Sequence, residues 1–286
     1  MTEQQIRALV EQVLARLQQD APPASMPVLP ERGEALADIS AIDLRRQYLV
    51  ENPHDQAAFL AMKERTPARI GVGRAGARYR TETMLRFQAD HAAAQDAVFS
   101  DVPEEFIRQM GWPVYQTSCE SREEFLTRPD KGRVFPPETL QKIKAAIPAG
   151  TQVVLYVADG LSSSAVQANA ADILPVIHDG LKAAGLKVCE PFFVRFGRVA
   201  TEDQIGAACG ADVVCVLLGE RPGLVTAESM SAYIAYRPTV GMAESRRTVL
   251  ANIHRGGTPA VEAGAHIVDL IQLMMEKKAS GTDLPV

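Results

Sequence analysis

The chain has 286 residues, 47% apolar and 23% charged, with a formal net charge of −5; it can bury a full core as one large domain or two modest ones. No apolar run reaches the roughly 18 residues that span a bilayer, and the acidic balance argues against a dedicated nucleic-acid binder. Glu3, Glu11 and Asp20 break up the first twenty residues, which do not read as a secretory signal, and Cys119, Cys189, Cys209 and Cys215 are scattered without a C-x-x-C, so the expectation is a cytosolic protein with reduced thiols and neither a disulfide framework nor a zinc site.

Residues 3–19 set Ile6, Leu9, Val10, Val13, Leu14 and Leu17 at helical spacing, and "APPASMPVLPERGE" after them reads as a linker. A short amphipathic helix on such a tether docks either on its own main domain or on another protein. Residues 42–66 read as helical with a break at Asn52-Pro53, and 81–99 as a helix with Met84, Phe87, His91, Ala94 and Val98 on one face. Residues 100–135, with Pro103, Pro113 and Pro129, are expected to be irregular, and Pro137 suits the first turn of a helix over 137–147. From residue 152 strands and helices alternate. "QVVLYVAD", "LKVCEPFFVRFG", "DVVCVLLGE", "SAYIAYRP" and "RRTVLANIH" are strand candidates. "AADILPVIHDGLKAAG" and "TEDQIGAACG" are helices, and a last one opens at Thr258-Pro259 and runs to Gly281. The expected class is α/β: a parallel sheet flanked by helices, with a helical N-terminal region.

Gly71-Val-Gly-Arg-Ala-Gly76 has the spacing of a dinucleotide-binding loop. That loop needs a strand before it, a helix at its last glycine and a return to a second strand. Here "AMKERTPAR" precedes it, "ARYRTE" delays the helix to Thr81, and a long alanine-rich helix follows. The context fails, and with it the reading as a stand-alone nicotinamide oxidoreductase. Arg69, Arg74, Arg78, Arg80 and Arg86 around it form either a solvated basic face or a docking surface for an acidic partner or an anionic group.

Ligands of open parallel sheets bind beyond the carboxyl ends of the strands. Three loops there are rich in Gly and polar groups: Asp159–Ser164, Arg195–Val199 and Gly219–Gly223. A binding crevice is expected, without a Ser-His-Asp set, paired carboxylates or clustered metal ligands; no residue is assigned a catalytic or metal-binding role. A purely structural partner protein is the rival reading of that crevice. Asp159 and Glu220 could pair with Arg195, Arg198 or Arg221. His254 in "NIHRGG" has the spacing of the D-x-H-x-x-G signature of cobalamin modules, but Asn252 stands where an aspartate would orient the imidazole; a loop or capping histidine is expected.

"GRAGARYRTETMLRFQADHAAAQDAVFSDVPEEF", "FLTRPDKGR", "VADGLSS", "PFFVRFGRV", "EDQIGAACGADVVCVLLGERPGL" and "NIHRGGTPAVEAGAHIVDL", spread over residues 40–281, closely resemble the small (light) subunit of ethanolamine ammonia-lyase. The resemblance implies a lyase that converts ethanolamine to acetaldehyde and ammonia with adenosylcobalamin. In that family the large subunit, a TIM barrel, binds substrate, and the small subunit's Rossmann-like domain holds the base-on cofactor against the barrel mouth. It divides this chain into an N-terminal helix (1–20), a linker (21–40), a mostly helical region contacting the large subunit (41–150) and the cobalamin-binding domain (151–286). Family cofactor contacts fall on Val199 and Glu220, and a third, a cysteine in the family, falls on Val249. Gly160, Leu161, Ser162, Arg195, Gly197, Arg198 and Arg221 are added by loop proximity. Backbone from such loops suits the neutral amide side chains of a corrin rim. The resemblance further implies a higher hetero-oligomer in the cytoplasm, inside a bacterial microcompartment where the organism has one. Residues 3–19 would be the encapsulation tag; in an organism without the compartment they would pack on the complex.

Overall fold

A computed structural model describes residues 38–285. The amphipathic segment 3–19 and its linker lie outside the described residues, and the architecture below belongs to the unit Ser40–Val286. Its helices are α1 (Gln56–Lys63), α2 (Thr81–Phe99), α3 (Glu104–Gln109), α4 (Arg122–Thr127), α5 (Pro137–Ala146), α6 (Ser163–Ala183), α7 (Thr201–Cys209) and α8 (Ala260–Lys277). A two-stranded ribbon, β1 (Arg74–Ala75) with β2 (Arg78–Tyr79), precedes a six-stranded sheet. That sheet comprises β3 (Val114–Gln116), β4 (Val153–Ala158), β5 (Phe192–Arg195), β6 (Val213–Gly219), β7 (Met230–Tyr236) and β8 (Thr248–Ile253), in the order β3-β5-β4-β6-β7-β8. None of the described helices is long and apolar enough to cross a membrane.

The α/β class holds, and the sheet is mostly parallel: β3, β5, β4 and β6 run together, while β7 is antiparallel to β6 and β8 to β7. Only ten residues join β6 to β7, too few for the crossover that a parallel neighbour needs. β4 and β6 are buried along their whole length, which is why they read as unbroken apolar runs. On one face, α6 and α8 bury Ile173, Ile177, Ile267 and Ile271 against Leu155, Cys215 and Ile234. On the other, α5 and α7 bring Ile143 and Ile205 onto Val154, Tyr156 and Val216. The segment expected to be irregular supplies β3 and shares both cores: Ile107 and Trp112 join the first, Phe135 the second.

Two helical expectations need correction. The break expected at Asn52-Pro53 is present, Asn52 taking a left-handed φ of 50°, but of the helical stretch 42–66 only α1 after that break forms an α-helix, capped by Asp55, which accepts the Ala58 N–H at 2.9 Å. α2 has the expected bounds but turns a different stripe inward: Thr83, Asp90 and Ala97 are buried, while Met84 is 45% exposed. The buried stripe carries an ion cluster, Asp90 meeting Arg86 at 3.0 Å and Arg69 at 2.6 Å, which a search for apolar periodicity does not register. Three of the four cysteines, Cys119, Cys189 and Cys215, are buried as free thiols.

The connection from β7 to β8 is locked beneath α7 by charge. Arg247, 1% exposed, meets Asp203 at 2.5 Å and Glu202 at 3.2 Å in the first turn of α7, where acids also suit the helix dipole. Burial holds the Glu202 carboxyl well above the usual carboxylate range and raises Asp203, with Arg247 opposing in both cases. A raised carboxyl pKa contributes stability that is complete below its unfolded value and is lost as pH rises through the folded one. Arg247→Ala removes the opposing charge and raises both carboxyls further. It should therefore cost most at neutral pH, about 3–5 kcal/mol, and progressively less in acid. Urea unfolding at neutral and mildly acidic pH measures the difference; an equal cost at both would show that the carboxyls do not titrate against Arg247.

Candidate functional site

The parallel register of β4, β5 and β6 sets the three Gly-rich loops on one edge of the sheet. β8 runs in the same sense as β6, being twice reversed, so the turn after it, Asn252–Gly257, opens on this edge too. The chain leaves β4 for α6 on one face and β5 for α7 on the other, the arrangement that opens a crevice between strand ends.

Here the protein fills that crevice itself. Arg122, 8% exposed, donates from Nη2 to Asp159 Oδ2 at 2.9 Å and from Nη1 to the Gly160 carbonyl at 3.0 Å. Its guanidinium lies 5.4 Å from the Phe125 ring centre and 5.2 Å from that of Phe196. Asp159 also accepts the Gly197 N–H at 3.2 Å, and burial raises its carboxyl pKa while Arg122 opposes the shift. Leu161 packs onto the Cys119, Phe125 and Phe196 cluster.

Most site residues chosen for lying on the loops are thereby engaged within the chain. A Cβ on Gly219 would meet the Ser162 carbonyl oxygen at 2.2 Å, and one on Gly160 would meet that of Gly219 at 2.3 Å. These glycines let the two loops touch each other; Gly197, likewise, is closed against Ala158. Ser162 Oγ caps α6 through the Ala165 N–H at 3.1 Å and donates to the Ala227 carbonyl at 2.5 Å. The pairings expected of the charged residues are replaced: Asp159 takes Arg122, Arg195 pairs with Glu104, and Arg198 donates to the Phe125 carbonyl at 2.7 Å from a position 4.4 Å over that ring. Arg221 is exposed.

Beyond β6 the edge is different. Glu220 accepts a hydrogen bond from the Tyr233 hydroxyl at 2.7 Å. Tyr233 stands in register with Val216 on β6 and Val249 on β8. Val199, at the entrance to α7, packs against the same core cluster as Tyr233. The three residues carried over from the family pattern, Val199, Glu220 and Val249, thus share one side of the sheet, with Tyr233 as the residue the sequence reading missed. Helices α5 and α7 cover the β3–β6 part of this side; toward β8, Val249 is 45% exposed and Ala251 is exposed. β8 is the outermost strand, so its outward peptide groups are not taken up by the sheet.

The "NIHRGG" turn is a structural device. His254 Nε2 lies 2.8 Å from Asn252 Oδ1, and its Nδ1 accepts the Gly256 N–H at 3.1 Å, which engages both ring nitrogens. A Cβ at Gly257 would strike the Asn252 carbonyl oxygen at 2.3 Å. The turn also lines a cavity of about 650 Å³ together with Arg45, Arg69, Leu224, Thr226 and Glu228.

The G-x-G-x-x-G stretch forms the β1–β2 ribbon, with Gly76 (φ 61°) first in a two-residue turn. Its carbonyls are engaged by the chain: Gly71 by the Leu49 N–H at 3.1 Å and Gly73 by the Arg80 N–H at 2.9 Å. Of the five arginines around it, Arg69 and Arg86 hold Asp90 and Arg80 holds Glu51 at 2.6 Å. Arg74, over the Tyr79 ring at 4.6 Å, and Arg78 are exposed on the ribbon.

Residues 56–285 match the family model for ethanolamine ammonia-lyase light chain (EutC). The chain belongs to that family. The ethanolamine ammonia-lyase small subunit of Clostridium tetani is 54% identical over 99% of both chains, and that of Clostridioides difficile 51% over 99% of this chain and all of its own. The small subunit of Clostridium perfringens is 59% identical over 89% of this chain and 86% of its own. As an ethanolamine ammonia-lyase light chain, the protein is one subunit of a lyase.

The two glycine roles on this edge can be separated. Gly219→Ala forces backbone against backbone and should cost about 1–3 kcal/mol, whereas Gly223→Ala, whose nearest heavy atom is 4.0 Å from the added Cβ, should leave thermal unfolding within a degree or so. Equal behaviour of the two variants would show that loop contact is not what Gly219 provides.

Proposed function

We propose that this light chain holds base-on adenosylcobalamin against the substrate-binding large subunit, on the open side of the sheet formed by Val199, Glu220, Tyr233 and Val249. The observation that carries the reading is the Glu220–Tyr233 pair beside the exposed Val249. It places a carboxylate acceptor next to an apolar strip, a combination suited to a corrin ring whose rim bears neutral amides. Adenosylcobalamin supplies the radical chemistry when bound. The chain's own residues bind and orient: Val199 and Val249 offer apolar contact, Glu220 accepts from an amide N–H, and the outward peptide groups of β8 offer donors and acceptors. The family cysteine at position 249 is replaced by an apolar side chain of similar reach, which supports packing rather than thiol chemistry there. Gly160, Leu161, Ser162, Arg195, Gly197 and Arg198 support this side by fixing the loops, and Arg221 lies at its margin.

Contact with the large subunit is assigned to the region before residue 150. Supporting this, α2 exposes Met84 (45%), Leu85 (49%) and Phe99 (63%), and the adjoining ribbon offers Arg74 and Arg78, a rim charge beside an apolar centre. The same reading has the subunits in a higher hetero-oligomer, with residues 3–19 as the tag that places it in a microcompartment.

Co-expression with the large subunit should give a complex that releases ammonia and acetaldehyde from ethanolamine only with adenosylcobalamin present. Within that complex, Glu220→Arg should weaken hydroxocobalamin binding at least tenfold in a spectrophotometric titration, about the scale of a lost charge-assisted hydrogen bond. Unchanged affinity would remove Glu220 from the site. Leu85→Glu with Arg74→Glu should reduce co-elution of the two subunits on sizing; a normal complex would move the interface elsewhere.

A further inference from the structure

Tyr233 links two parts of the proposed cofactor side, bonding Glu220 and standing in register with Val249. Its ring stands in β7 between Val216 and Val249, and its hydroxyl donates to Glu220 Oε1 at 2.7 Å. Glu220 begins the loop after β6 and is otherwise tied down through its backbone, its N–H bonded to the Ser229 carbonyl at 2.9 Å. A glutamate so placed has three side-chain torsions free to turn into solvent. The tyrosine hydroxyl removes that freedom by occupying one carboxylate oxygen, and the other keeps its capacity to accept.

We infer that Tyr233 is a positioning residue: it fixes Glu220 in one orientation so that the second carboxylate oxygen is presented to an amide N–H of the cofactor. This rests on the reading of Glu220 as a cofactor contact. The phenol suits the task because burial and the neighbouring carboxylate push its ionisation upward, so it stays a donor throughout the neutral range. Its rigidity helps as well, since a residue in the middle of a strand, packed on the core that holds Ile205 and Val216, passes the register of the sheet to the loop. Val249 against the other side of the strand pairing limits how far the ring can tilt.

The test is a double-mutant cycle read by spectrophotometric titration of the assembled two-subunit complex with hydroxocobalamin. Tyr233→Phe keeps the ring and removes only the hydroxyl; it should weaken binding about five- to tenfold, on the scale of one hydrogen bond. In a Glu220→Ala background the same change should have no further effect beyond about twofold. In a Glu220→Gln background, which keeps an oxygen for Tyr233 to bond, the loss should return. Thermal unfolding of each complex checks that the sheet is intact, and Tyr233→His, a ring with a donor, gives a second variant should Tyr233→Phe fail to assemble. Equal losses with and without Glu220 would overturn the inference by giving Tyr233 a role of its own. No loss from Tyr233→Phe beside a clear loss from Glu220→Ala would overturn it while leaving the cofactor reading intact. No loss from Glu220→Ala would sink the reading on which it rests.

Discussion

The buried pair of Arg122 and Asp159 is the constraint on which the ligand edge depends. A carboxylate at the end of a wholly buried strand is costly unless something answers its charge, and Arg122 reaches in from α4 to do so while also taking the Gly160 carbonyl and two aromatic faces. One guanidinium therefore ties the ends of β4 and β5 to the helix that follows β3. With that crevice filled, the free ground lies further along the edge, at β6 and β8. Removal of Arg122 would leave Asp159 buried without a counter-charge, and the loops would lose their common anchor.

The same logic recurs at the other end of the sheet, where Arg247 joins α7 to the β7–β8 connection through Glu202 and Asp203. In each cluster one arginine serves several acids, Asp101 and Asp159 for Arg122 and Glu202, Asp203 and Glu244 for Arg247, and each fastens an irregular segment onto a strand-and-helix core that the apolar residues alone would assemble. Between them lies the strip from Glu220 to Val249. It is held in place from both sides and is covered by neither α5 nor α7 at its β8 end. A face of that kind is suited to a large, mostly apolar ligand that must be gripped without being enclosed, which agrees with membership in a family whose enzyme works as two unlike subunits.

Much of this was legible in the sequence, and the parts that were not share a cause. β4 and β6 announced themselves as apolar runs, and the bounds of α2 and α5 followed from their flanking residues. The ten-residue connection ahead of β7 carries its direction too, being shorter than the span of a crossover. β3 escaped notice because three residues behind Pro113 make no periodic pattern. The stripe of α2 was misplaced because Asp90 is buried by two arginines, one of them 21 positions away. Arg122 and Arg247 escape for the same reason: their buried partners, Asp159 for one and Glu202 and Asp203 for the other, are distant in sequence, and single-chain periodicity carries no information about pairs. In sequence Tyr233 is a strand residue among others; only the fold brings its hydroxyl onto Glu220. The family pattern located Val199, Glu220 and Val249; what the loops' glycines were doing emerged only from the backbone distances between them.

The buried thiols bear on how this molecule breathes. Burial drives the ionisation of Cys215 far up and that of Cys189 to about 11, and raises Cys119 as well, so almost none of the reactive thiolate exists while the fold is closed. Cys215 sits in the central strand β6, Cys189 beside β5, and Cys119 in the cluster under Arg122. Alkylation of each is therefore gated by the opening of its own neighbourhood, and the chain carries three built-in clocks for local unfolding: one in the middle of the sheet, one at its flank and one beneath the ligand edge.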